Sequence, residues 1–178
     1  MEFPGEGCPG GGRGSGMERE HKLAVLGRIA SEFRRAGITW AAGASLLLFL
    51  RGRVPDFHDL DLMILTADAG RAGEILARLG EALPERANGP LYETEVFREY
   101  RVDGVEVDMM AGMTIRKDGV PQDCTLYPED IDGAAEVFGE RVPLQRLACW
   151  VRYYALMGRP EKAALAADGP GEAPGRTE

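Results

Sequence analysis

The chain has 178 residues, 44% of them hydrophobic, which suits one compact domain with a real core. A net charge of -8 and a pI of about 4.9 repel phosphate backbones. Nucleic acid is therefore a poor partner, although a small nucleotide remains open because a divalent cation can bridge carboxylates to phosphates. Cys8, Cys124 and Cys149 lie far apart without a CxxC pair, and only His21 and His58 accompany them. That pattern argues against zinc or a disulfide framework and fits a reducing, cytoplasmic setting. No apolar run reaches the roughly 18 residues that span a bilayer, and the Gly-rich start lacks the apolar segment of a secretory signal.

Residues 1–16 are dominated by glycine and read as a disordered extension, with Met17 able to serve as a start. The GGGRGSG stretch lacks the Lys-Ser/Thr ending and the preceding strand of a phosphate loop. The folded region is expected over 17–167, with 168–178 a second disordered tail. A helix is predicted from Glu18 to about Ala36, because Leu23, Leu26, Ile29, Ala30 and Phe33 recur at helical spacing and Gly37 supplies a stop. Residues 38–42 read as a short strand. Ser45 to about Leu50 is Leu-rich without β-branched residues and is predicted helical, ending before Pro55.

Residues 57–65 read as a strand, and Thr66 or Asp68 can cap the amphipathic helix that follows. After a loop over 84–92, a hairpin is predicted from Glu95 to Met110 around the turn Asp103-Gly104. Residues 117–134 are turn-rich. A short strand is expected within 135–142, and a helix from Pro143 to Met157. Together these elements predict an α/β (α+β) fold, a mixed and mostly antiparallel sheet flanked by helices.

Strand alternation puts Asp59 and Asp61 on one face, with Leu60, Leu62 and Ile64 turned to a core. In the hairpin, Glu106 and Asp108 share the face opposite Val105, Val107 and Met109. If the two strands are neighbours, Asp59, Asp61 and Asp108 converge. Three such carboxylates repel and raise each other's pKa values, a conflict that Mg²⁺ or Mn²⁺ would remove. Gly43-Ala44-Ser45 lies between a strand and a helix start, where backbone amides and the Ser45 hydroxyl can meet phosphate. Arg51, Arg53 and His58 are near enough in sequence to add charge or a base, although His58 also suits a partly buried hydrogen-bonded role and the arginines a solvated helix end.

The segment WAAGASLLLFLRGRVPDFHDLDLMI resembles the DNA polymerase beta-like nucleotidyltransferase superfamily, whose pattern runs Gly-Gly/Ala-Ser, helix, charged loop, then Asp-x-Asp. VEVDMMAG, with Asp108, matches the third carboxylate of that pattern. The chain is most similar in character to the small members, including lincosamide and aminoglycoside nucleotidyltransferases and toxin-type relatives. YYALMGRPEK resembles their Arg-x-x-Lys-Asp segment through Arg159 and Lys162, with Ala163 in place of the aspartate. The resemblance implies the nucleotidyltransferase fold and Asp59, Asp61 and Asp108 as catalytic metal ligands. It implies nucleotide contacts at Gly43, Ala44, Ser45, Arg51 and His58. The implied reaction transfers a nucleoside monophosphate from an NTP, with ATP the expected donor, to a hydroxyl on a small molecule or a protein, with release of pyrophosphate. A partner or homodimer could complete so small a cleft. The alternative is a non-catalytic module of the same fold that binds a nucleotide or docks a partner.

Overall fold

The computed structural model describes residues 14–167. The terminal segments expected to be disordered lie outside these residues, except 14–16, which belong to the first helix. That helix, α1 (Gly14–Ala36), leads through Gly37 into strand β1 (Trp40–Ala42). Then follow α2 (Ala44–Leu50), β2 (Leu60–Ile64), α3 (Ala69–Leu79) and the two-residue β3 (Glu81–Ala82). The predicted hairpin is β4 (Val96–Val102) and β5 (Val105–Ala111). Its turn residues Asp103 and Gly104 have φ of 48° and 77°, the paired left-handed conformation that makes Asp-Gly a hairpin signal.

The rest is β6 (Thr114–Lys117), β7 (Val120–Asp123), β8 (Ile131–Val137), β9 (Glu140–Gln145), α4 (Leu147–Leu156) and α5 (Pro160–Ala167). Seven strands form one sheet in the order β3-β4-β5-β2-β1-β9-β8, and β6 and β7 form a separate hairpin. Four of the neighbouring pairs in the large sheet are antiparallel; β1–β9 and β2–β5 are parallel. The sheet is thus mixed and mostly antiparallel, as the sequence predicts.

Helices cover both faces. Leu60, Leu62, Ile64, Val107 and Met109 are buried, and a Cβ at Gly73 on α3 would meet Met109, so α3 lies on their side. The Phe33 ring of α1 meets Trp40 edge-on at 5.4 Å. On the other face α4 inserts Trp150 against β1 and β2, where Gly43 and Met63 approach it. Trp150 donates to Gln145 at 3.0 Å and Gln145 to the Tyr153 hydroxyl at 3.3 Å, so this buried polar cluster is hydrogen-bonded.

Several boundaries differ from the sequence reading. The region read as turns, 117–134, contains the last residue of β6, all of β7 and much of β8, and the expected single strand near 135–142 is a hairpin of β8 and β9. Pro143 lies inside β9 rather than opening a helix. It pairs with Ala134 beside a register shift in β8, an irregularity that tolerates a residue without an N–H. Asp68 precedes α3 without capping it through its side chain; its carboxylate turns back to accept from the Thr39 backbone N–H at 2.8 Å and from Arg71 at 2.6 Å.

Candidate active site

β2 and β5 are adjacent and parallel, with Asp61 opposite Asp108 in register. Equal side-chain parity on neighbouring strands puts both carboxylates on one face. Asp59 stands one residue before β2, so it enters from the strand's approach rather than from the strand itself. Asp61 is only 5% exposed, while Asp59 and Asp108 are partly buried. The hairpin adds two further acids to this face: Glu99 lies opposite Asp108, and Glu106 is two residues before it.

The electrostatics follow from this crowding. Burial, then the charges of Asp108 and Asp59, push Asp61 well above the ordinary carboxylate value, with Lys162 opposing. Burial, then Asp59, Glu99 and Glu106, push Asp108 up to about 7, with Arg86 opposing. Asp59 is raised by burial and by Glu106, while His58 and Lys22 pull it down. Lys162 is lowered, first by burial and then by Arg159, and raised by Asp61. Asp61 and Lys162 therefore both shift toward their neutral forms. Neither has enough counter-charge from the other to offset its loss of water.

Two clefts adjoin the aspartates. One, of about 400 Å³, is lined by Ser45, His58, Asp59, Asp61, Arg159 and Lys162 among others. The second, of about 380 Å³, is lined by Arg86, Glu99, Tyr100, Arg101, Glu106 and Asp108, with Leu83 and Pro84 at its side. Lys162 of α5 and Arg159 just before that helix face the first; acids of the β4–β5 hairpin dominate the strand floor of the second.

The Gly-Ala-Ser turn is tightly built. The Gly43 N–H donates to the Asp61 carbonyl at 3.0 Å, tying the turn to the strand that carries the acid. A Cβ at Gly43 would lie 2.7 Å from the Trp150 ring and 2.9 Å from Met63, so the close approach requires glycine. Ala44 has φ of 49°, a left-handed conformation uncommon for a residue with a Cβ. Ser45 then faces the cleft.

The structure brings Ser45, His58, Asp59 and Asp61 to one cleft, with Asp108 beside it in register. Arg51 is turned elsewhere: its guanidinium donates to the Asp132 carbonyl and faces the Asp132 carboxylate at 3.8 Å. Gly43 and Ala44 shape the turn from behind. Cys124 is buried, which pushes its thiol up to about 11, consistent with a small core residue.

The sequence reading missed Lys22, Arg86 and Glu99. Glu99 was accessible to it, since a two-residue turn at 103–104 fixes 99 opposite 108. Nothing in the local sequence marks Lys22 or Arg86.

The donor chemistry fits Mg²⁺ or Mn²⁺. Among the described residues, no three His, Cys, Asp or Glu side chains are gathered tightly enough to form a closed metal group. Mg²⁺ does not need one, since it keeps several waters and binds one or two carboxylates together with substrate phosphates. Hard oxygen donors whose mutual repulsion a cation would relieve meet that requirement.

The fold is shared with solved nucleotidyltransferase structures. The chain superposes on a candidate nucleotidyltransferase (TM1012) from Thermotoga maritima with a TM-score of 0.68 and 23% identity, covering 82% of this chain and 89% of that one. It is similar to the antibiotic-resistance factor ANT(2'')-Ia, solved in complex with adenylyl-2''-tobramycin, with a TM-score of 0.57 and 13% identity over 83% and 88% of the two chains. It also matches the lincosamide antibiotic adenylyltransferase LnuA, in its lincomycin-bound form, with a TM-score of 0.52 and 10% identity over 80% and 94%. No family model matches the sequence, and no curated protein matches it. Among the described residues, no helix is long and apolar enough to cross a membrane.

Proposed function

We propose that this chain is a metal-dependent nucleotidyltransferase that moves a nucleoside monophosphate from an NTP, ATP first among them, to an acceptor hydroxyl. The observation that carries the reading is the register of Asp61 with Asp108, with Asp59 at the entry to the same strand. This acid edge adjoins both the cleft with basic side chains and the cleft floored by acids. The first suits the donor triphosphate and the second an acceptor bearing positive charge. Small antibiotics bound by the structural relatives, adenylyl-2''-tobramycin in ANT(2'')-Ia and lincomycin in LnuA, support a small-molecule acceptor.

Asp59, Asp61 and Asp108 would hold the cation, which supplies charge neutralisation for the phosphates and the leaving group when bound. Ser45 would donate to a phosphate oxygen, and Lys162 of α5 and Arg159 just before it would add positive charge. Asp108 would take the proton of the acceptor hydroxyl. The acceptor oxygen forms a bond to the α-phosphorus, the bond from that phosphorus to the bridging oxygen breaks, and pyrophosphate leaves. Positioning and electrostatics account for most of such a reaction.

The test is pyrophosphate release from Mg²⁺-ATP with a panel of amine-bearing polyols, lincosamides and proteins as acceptors. Acceptor-dependent release that disappears in Asp61→Asn is the expected result. Nucleotide binding without release by any acceptor would instead mark a non-catalytic binding module.

A further inference from the structure

The α1 side of the donor cleft carries an element that nothing in the nucleotide reading assigns. Besides the proposed cation ligand Asp59, its acidic groups are Glu18 and Asp56, each of which would repel a triphosphate. Lys22 stands among them. It lines this cleft and also a smaller recess of about 240 Å³ beyond Asp59, shared with His58 and Glu106. We propose that Lys22 is a phosphate-contacting residue of the nucleotide cleft, opposing Lys162 from the other wall; this rests on the nucleotide reading given above.

The Lys22 side chain is 15% exposed, so its stem is packed against the protein while the residue lines two clefts. Its polar partners are weak. It donates to the Phe57 carbonyl at 3.3 Å, beyond the normal range for such bonds. It faces Glu18 at 3.4 Å, but that carboxylate is 67% exposed, and a pair of this kind contributes little. The ammonium also stands 5.6 Å over the Phe57 ring, a cation–π contact that uses the charge without occupying a donor proton. An ammonium has three protons to donate, and two long contacts leave capacity directed at the cleft. A phosphate oxygen is a stronger acceptor than either present partner.

Its neighbour Arg19 differs. Arg19 pairs with Asp56 and lies 5.7 Å over Phe49, bracing α1 against the loop before β2, and it does not line the cleft. Across the cleft, Lys162 sits 5.8 Å over the Tyr154 ring. Two lysines, from the first and last helices of the described chain, thus enclose the space beside Asp59 and Asp61. Lys22 also offsets repulsion between the acids of its own wall and an incoming polyphosphate.

Calorimetric titration of the full chain with Mg²⁺-ATP, and separately with Mn²⁺ alone, tests this in wild type, Lys22→Met and Lys22→Arg, with thermal melts confirming that each variant folds. Lys22→Met is expected to weaken ATP binding about tenfold, Lys22→Arg to retain it within about threefold, and Mn²⁺ binding to stay unchanged in both. ATP binding by Lys22→Met within about twofold of wild type would overturn the role of Lys22 and leave the nucleotide reading standing. So would an equal loss in both variants, which would mark a packing role. Failure of wild type to bind ATP would remove the nucleotide reading itself and this inference with it.

Discussion

Two buried aspartates, one within β2 and one beyond its end, behave in opposite ways. Asp68, just beyond the strand's end, is 9% exposed and receives hydrogen bonds from the Thr39 N–H and the Arg71 guanidinium. Those donors hold its carboxyl below the ordinary carboxylate value. Asp61, inside the strand, is 5% exposed and faces Asp108 and Asp59, so its carboxyl is pushed well up. Burial alone therefore does not decide what an aspartate does. Donors make Asp68 a brace between β1 and the start of α3, whereas like charges make Asp61 costly to ionise. Under the proposed function, a bound cation would offset that cost.

Substituting each residue sharpens the contrast. Asp61→Asn should lower nucleotidyl transfer by about a thousandfold or more, with no loss of thermal stability near pH 8. Asp68→Ala should do the reverse, costing about 1–3 kcal/mol in denaturant unfolding by leaving the Thr39 N–H and Arg71 without their acceptor. Transfer per folded molecule should be little changed. A stability loss in Asp61→Asn as large as that in Asp68→Ala would erase the distinction.

The pH dependence of stability should separate the two sites as well. Asp59, Asp61 and Asp108 are all raised, so the folded protein holds protons that the unfolded chain releases. Their effect on stability is therefore a loss as pH rises from the ordinary value of 3.8 through about 7, the value for Asp108. Asp68, which is lowered, acts in the opposite sense at more acid pH. In chelator, the melting temperature should be higher near about pH 5.5 than near about pH 8, and Asp108→Asn should flatten the difference. Mg²⁺ with ATP should restore stability at the higher pH.

Smaller effects belong to the turn behind Asp61. Gly43→Ala forces a Cβ against Trp150 and Met63 and should cost about 1–3 kcal/mol in chemical denaturation. Ala44→Gly removes the left-handed strain at φ 49° and should stabilise by up to about 1 kcal/mol, the strain relief exceeding the added chain entropy.

Much of this site was legible in the sequence because it depends on local rules. Alternation separates Asp61 from Leu60 and Leu62, and the Asp103-Gly104 turn fixes the register of the hairpin carrying Asp108. The adjacency of β2 and β5 is a long-range pairing, which no local pattern specifies; the conditional reading of convergence was as far as the residues went. The β8–β9 hairpin was hidden because its turn uses Phe138, with φ of 49°, before Gly139, in place of the usual Asn or Asp. Asp118-Gly119 does carry the usual signal, but the short polar strands around it, with Pro121 in one of them, obscure it. Arg51 illustrates a different limit: sequence proximity placed it near the phosphates, while the strand edge across from it supplied Asp132.

The central claim is that Asp59, Asp61 and Asp108 form the edge where a cation and a nucleotide meet. Isothermal titration of Mg²⁺-ATP into wild type and into Asp59→Ala/Asp61→Ala tests it most directly. Saturable binding to wild type that is lost in the double variant, with folding intact, is the expected result. Equal binding by the two proteins, or no binding by wild type, would contradict it.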